Sequence, residues 1–200
     1  EFVARRRKSD VRGERRRRKA LDALGEVRVE HVRNSEEVEA LLLEFLPLES
    51  AGWKAQAETS IMSRQNDAAF FREVLLVAAK KGSFFWVGLR LDDRLIAASV
   101  GLAEGGVMVA FKLCFDETLR KFSPGILLAS AVLDAFLDAE DLTLARSGGL
   151  ARSWLGRVFL DELPTRSLTI PTTHLLPRLF VQLLRPVRRR SAKRQSEAIP

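Results

Sequence analysis

Tyrosine is absent from the 200 residues, cysteine occurs once and histidine twice. Cys114 has no partner for an internal disulfide and supplies no zinc cluster, so the chain suits a reducing compartment. No apolar run approaches the roughly 20 residues of a membrane span, and the Arg-rich start is unlike a signal peptide. No internal repeat is found. The chain opens at Glu1-Phe2 without an initiator Met, and so reads as an excerpt of something longer. What remains is 46% hydrophobic and 30% charged, the composition of a globular domain with appended tails. The expected location is cytoplasmic, with the inner membrane surface within reach of the basic ends.

The net charge of +7 is unevenly spread. Residues 1–20 hold ten Lys/Arg against three Asp/Glu, and residues 185–200 hold six against one. The body between is acidic, with 17 basic and 22 acidic residues. A groove-binding nucleic-acid protein spreads cations over its folded surface, which this body does not. Solvated helical arms are one reading of the ends. Contact with anionic lipid, nucleic acid or an acidic partner is the other. Three segments follow: a basic linker helix over 1–25, a folded domain over 26–184 and a basic tail over 185–200.

Periodicity predicts a helix over 4–24, carried into Leu21 and Leu24 and capped by Gly25. Val27, Val29 and His31 alternate with charges as in a half-buried strand. Asn34 and Glu37 form a capping-box pattern before a helix carrying Val38, Leu41, Leu42 and Phe45, expected to stop near Pro47. Residues 49–66, with Gly52-Trp53-Lys54 and Glu58, read as a loop. Asp67 caps a helix whose buried face is Phe70, Phe71, Val74, Leu75 and Ala78, ending at Gly82. Strands over 84–91, 94–103 and 107–115, joined by Asp92-Asp93 and Glu104-Gly105-Gly106, require an antiparallel meander. A helix over 125–138 is apolar except for the stripe Ser130, Asp134, Asp138. Leu128, Val132, Leu133 and Phe136 are its expected core residues. A strand over 141–146 after that crossover implies parallel pairing. Trp154 falls in a loop or short helix, a strand near 166–170, and a basic helix from about 175. The fold class is α/β with a mixed sheet.

Residues 111–128 carry the chemistry. Strict alternation puts Val107, Val109, Phe111, Leu113 and Phe115 on one face, expected to be the core face. Met108, Ala110, Lys112, Cys114 and Asp116 share the other. Lys112 and Asp116 are then about 13 Å apart at roughly 3.3 Å per residue, too far for an ion pair, so each needs another partner. Ser123-Pro124-Gly125 opens the next helix: Ser123 as N-cap, Pro124 at a position needing no amide hydrogen, Gly125 permitting close approach. A helix N-terminus beside a sheet suits a diphosphate, though Ser-Pro-Gly in this place is commonly structural only.

The order of meander, Arg120-Lys-Phe-Ser123-Pro-Gly125, Leu-rich helix and parallel strand resembles the acyl-CoA motif of the GNAT N-acyltransferases. That family's loop reads Arg/Gln-x-x-Gly-x-Gly/Ala, and Ser123 stands in place of the first Gly. Lys112, Phe115-Asp116 and Ser123-Pro-Gly-x-Leu-Leu are similar to the FemAB-related, BioF2-like branch associated with bacterial exopolysaccharide genes. Gly52-Trp53-Lys54, Phe70-Phe71-Arg72 and Ile96-Ala97 look like it too, so the match spans about 15–145. Phe115 stands where Tyr is common, and the branch's usual ending is reduced to Leu150-Ala-Arg-Ser-Trp154. Members of this branch commonly hold two GNAT-like halves, and this chain resembles the second.

The resemblance implies an acyltransferase fold with acetyl-CoA or another acyl-CoA as donor, and no metal. Arg120, Phe122, Ser123, Gly125 and Ile126 would bind the donor, with Asp116 and Lys112 as catalytic residues. An amino sugar or other exopolysaccharide or envelope precursor would be the acceptor. Direct attack of an amine on a thioester needs an aligned carbonyl and a base, for which Asp116 is the candidate; its alternative is a turn residue capping the strand. Lys112 either neutralises phosphate, pairs with a carboxylate of a neighbouring element or snorkels. Cys114 reads as packing, Trp53 as core or cleft wall, and His31, His174 and Glu58 take no role. Two other functions stay open: a FemAB-type transferase drawing on aminoacyl-tRNA, and a non-catalytic GNAT-like assembly module.

Overall fold

The computed structural model describes residues 7–33, 37–51, 60–63, 65–148 and 154–161. Its elements are α1 (Lys8–Asp22), β1 (Val27–Arg33), α2 (Val38–Ser50), α3 (Gln65–Lys80), β2 (Phe84–Leu91), β3 (Arg94–Glu104), β4 (Val107–Phe115), α4 (Pro124–Leu137) and β5 (Leu144–Arg146). Short 3-10 turns occupy Ile61–Ser63, Glu117–Phe122 and Trp154–Arg157. The strands lie in the order β1-β2-β3-β4-β5. The first four pair antiparallel, and β5 joins β4 in parallel through Val107↔Leu144 to Val109↔Arg146. The meander and the parallel crossover are those the sequence predicts, and β5 is shorter than 141–146.

Helices cover both faces of the sheet. Leu21 of α1 with Leu127, Leu128, Ala131 and Val132 of α4 packs on Phe85, Val87, Ala97 and Met108. On the opposite face Val38, Leu41, Leu42 and Phe45 of α2, with Phe71 and Leu75 of α3, pack on Phe84, Trp86, Ala98 and Val100. Double coverage explains why six consecutive residues of β2, Phe84–Leu89, are all buried instead of alternating. Leu128, Val132 and Leu133 are buried as the sequence predicts, while Phe136 is half-buried. In α3, Phe71, Leu75 and Ala78 are buried, but Phe70 is exposed, and the helix starts at Gln65 with Asp67 in its first turn.

Strict alternation fails in β4. Val100 pairs with Lys112 but Gly101 pairs with Ala110, leaving Phe111 as an extra residue, a β-bulge. Before it, Met108 and Ala110 face α4; after it, Leu113 and Phe115 do, while Lys112 and Cys114 face α2 and α3. The five residues expected on one core face therefore divide between the two, and Phe111 is 52% exposed, its ring stacked on Phe71. Gly101 permits the bulge, because a Cβ there would lie 2.6 Å from the Val109 carbonyl oxygen. A second register shift, at Leu89/Arg90, leaves Ile96 as the extra residue of β3.

Helix ends depart from expectation twice. Pro47 does not stop α2, which runs on to Ser50. The bond it forfeits is to the carbonyl of Leu43, an exposed residue on the solvent side of the helix. Gly25 is no left-handed cap: α1 ends at Asp22, and Gly25 leaves room for the Asp92 carboxylate, which accepts from the Glu26 amide at 2.9 Å. Glu37 precedes α2 without a side-chain cap; Asn34 lies outside the described residues, as do Gly52-Trp53-Lys54, Glu58, the 166–170 strand, the helix from 175 and the 185–200 tail.

Candidate active site

β4 and β5 pair over three residues only and then part. In the gap lies a cavity of about 330 Å³. Its walls are residues 110–115 and Glu117, Ala129 and Val132 of α4, Ser147-Gly148 after β5, Leu155 and Phe159, and Leu48-Glu49 from the last turn of α2. Because successive residues of β4 from Lys112 to Phe115 point to opposite layers, this cleft is lined from both sides of the sheet. Leu113 and Phe115 border it from the α4 side, Lys112 and Cys114 from the α2 side.

Two carboxylates line it, Glu117 of the turn after β4 and Glu49 of α2, and the second is built into the core. The Glu49 side chain is fully buried; its Oε2 accepts from the Ile61 amide at 2.9 Å, and its Oε1 lies 3.1 Å from Lys112 Nζ. Burying a carboxylate is costly unless it is paired and hydrogen-bonded, and here it is both. Lys112 is 26% exposed and reaches the cleft, so the expected carboxylate from a neighbouring element is Glu49. Sequence reasoning missed Glu49 because it ended the helix at Pro47. The signal was present: Glu49 continues the buried stripe Val38, Leu41, Leu42, Phe45 four residues on.

Asp116 is placed differently from the expected base. Its Oδ1 accepts from the Thr118 amide at 2.9 Å and the Thr118 hydroxyl at 2.6 Å, and its Oδ2 pairs with Arg94 at 2.9 Å. It caps the 3-10 turn Glu117–Phe122, and it does not line the cleft although Phe115 and Glu117 on either side do. The turn-capping alternative is the one these contacts describe.

The expected donor loop follows. Arg120 projects into solvent, 3.8 Å from Glu117, and Lys121 sits over the half-buried Phe122 ring. Ser123 ends the turn and starts α4 in the left-handed region (φ 53, ψ 53), where the GNAT loop pattern has glycine. It makes no side-chain cap, which corrects the N-cap expectation. Instead its carbonyl oxygen accepts from the amides of Ile126 and Leu127. With Pro124 lacking an amide hydrogen, the N–H of the buried Gly125 is left without a backbone acceptor among the described residues. Neither Ser123, Gly125, Ile126, Arg120 nor Phe122 lines the cavity itself; they frame the start of α4 beside it. Among the described residues no helix is long and apolar enough to cross a membrane.

The sheet is thus mixed and five-stranded, parted between its fourth and fifth strands and followed at β4 by a turn and helix. Residues 5–158 match the family described as "Acetyltransferase (GNAT) domain", so the chain belongs to the GNAT acetyltransferases and is an acyltransferase. The family uses acetyl-CoA. A possible acetyltransferase from Clostridium difficile 630 has a similar fold (TM-score 0.51, 9% identity, covering 74% of this chain and 99% of that one). So does a GCN5-related N-acetyltransferase from Ralstonia eutropha JMP134 (TM-score 0.50, 13% identity, 74% and 100%). No curated protein sequence matches the chain.

Proposed function

We propose that the chain transfers an acyl group from acyl-CoA to the amine of a small acceptor, an amino sugar or other envelope or exopolysaccharide precursor. The carrying observation is a buried, anchored carboxylate, Glu49, in a cleft that opens beside the donor loop. The apolar walls Leu113, Phe115, Val132 and Phe159 suit the pantetheine arm. Arg120, Lys121 and the Gly125 amide suit the diphosphate, with Ser123, Phe122 and Ile126 shaping that turn. Glu49, in place of Asp116, takes the proton of the attacking amine. The amine nitrogen bonds to the thioester carbonyl carbon, the C–S bond breaks, and the thiolate leaves as CoA. Asp116 acts as a positioning residue through its hold on the turn, and Lys112 as the partner of Glu49. The motif wording of 111–128 supports the FemAB-related branch and a second-half position in a longer chain.

Calorimetry with CoA and acetyl-CoA tests the donor, with Ser123→Asp as the weakened control. Absence of binding at millimolar ligand overturns the reading. Glu49→Gln is expected to lower kcat about 100-fold or more with CoA affinity unchanged.

One further observation favours a polyanion as a second partner. Lys8, Arg12, Arg15, Arg16 and Lys19 follow one another at helical spacing along the exposed face of α1. No exposed Val, Ile, Leu or Phe accompanies them on α1, which favours the phosphate backbone of a nucleic acid, such as the tRNA of an aminoacyl donor, over insertion into lipid.

A further inference from the structure

The pairing inside the cleft constrains the acceptor, given the transferase reading above. Glu49 is fixed: one oxygen is held by the Ile61 amide, and its side chain has no exposed surface. Lys112 is the adjustable partner, a long flexible side chain at the cleft wall. Leu48, Phe111, Leu113, Phe115, Val132 and Phe159 make most of the surrounding wall apolar.

An amine that is to hand its proton to Glu49 must approach Oε1, the oxygen Lys112 now occupies. A simple cation arriving there displaces the Lys112 ammonium and leaves it without its partner in a largely apolar cleft, which is costly. An acceptor carrying an anionic group beside its amine avoids that cost. Its amine takes Glu49 while its anion takes Lys112, and the partners exchange with no net change of charge.

We infer that the acceptor is a zwitterion, an amine with a phosphate or carboxylate a few bonds away, and that Lys112 is the residue that selects it. Glu49 and Lys112, 3.1 Å apart, are the two halves of its recognition site. Amino-sugar phosphates and amino acids both satisfy this chemistry; polyamines and uncharged amino sugars do not.

The experiment measures binding to the CoA-loaded full chain and acetyl transfer for four amines. Glucosamine 6-phosphate and β-alanine carry the two kinds of anion; glucosamine and spermidine carry none. The expected result is a preference of about 10-fold or more for at least one anion-bearing amine, given what unpairing the partly buried Lys112 ammonium costs. Lys112→Met should erase that preference with CoA affinity unchanged, and Lys112→Arg should keep most of it, while thermal melting confirms that both variants fold. If the wild type takes glucosamine or spermidine as well as either anion-bearing amine, or binds neither of the latter, the zwitterion is overturned. The same holds if Lys112→Met leaves the preference intact. Should Lys112→Met fail to fold, the wild-type preference and the Arg variant decide. Failure of CoA itself to bind strikes the transferase reading instead, and calorimetry without acceptor separates the two.

Discussion

Ser123 is a side chain placed where the backbone wants none. A left-handed conformation costs an L-residue about 1–2 kcal/mol, and no cap bond offsets it here. Ser123→Gly should therefore raise stability by about 1 kcal/mol, read as a higher urea midpoint with an unchanged slope. Asp116 works in the opposite sense. Asp116→Ala removes the cap on Thr118 and the partner of Arg94, so a loss of about 1–2 kcal/mol is expected. Its kinetic signature should be weaker CoA binding with kcat largely kept, whereas Glu49→Gln should do the reverse. A variant pair that gives the opposite split would return the base to Asp116.

At the scale of elements, α4 is the helix whose burial is most complete. Leu128 is fully buried against the sheet, and Leu128→Ala is expected to cost about 3–4 kcal/mol in equilibrium unfolding. Phe136 is half-buried and should cost less than a fully buried Phe, below about 3 kcal/mol. The meander, α4 and the parallel strand were legible because short connections leave two neighbouring strands few ways to pair, and because a cylinder so apolar has to be covered. Two things were not legible. A period of two assumes that no residue is inserted, so the bulge at Phe111 is invisible along β4 and shows only in its partner, Gly101. Proline ends a helix when the bond it removes cannot be replaced; at Leu43, facing water, it can, and the turn beyond Pro47 that carries Glu49 was lost with it. The donor loop was readable from its motif, but the acceptor side depends on α2 meeting β4, a contact between residues more than sixty positions apart.

For the molecule as a whole, charge sets two measurable responses. Burial, with Arg33 nearby, holds His31 below its ordinary 6.5, against a smaller opposing pull from Asp138. The unfolded chain then takes the proton first, so stability should be complete above about pH 6.5 and decline as the pH falls toward the lowered folded value. His31→Gln should flatten that part of the curve. Asp141, through its hydrogen bond with Arg33, and Glu44, through Arg90, are both lowered from 3.8 and 4.5, so they add a second decline as the pH drops through those values. The stripe on α1 predicts that binding of a short RNA weakens steeply with salt, with a log–log slope of about −3 to −5 if most of its cations meet phosphates. A flat salt response would leave the stripe as solvated surface. The bulge, finally, makes the length of β4 a kind of reading frame. Phe111 is the letter outside that frame: deleting it alone would join the pairs Gly101↔Ala110 and Val100↔Lys112 into one uninterrupted ladder, with every residue beyond it keeping its layer. Lys112 would stay opposite Val100, in the layer that faces Glu49. The single deletion of Phe111 should accordingly leave the Glu49–Lys112 pair and activity in place, whereas a single residue inserted between Lys112 and Phe115 turns one side of the strand to the opposite layer and should damage the site.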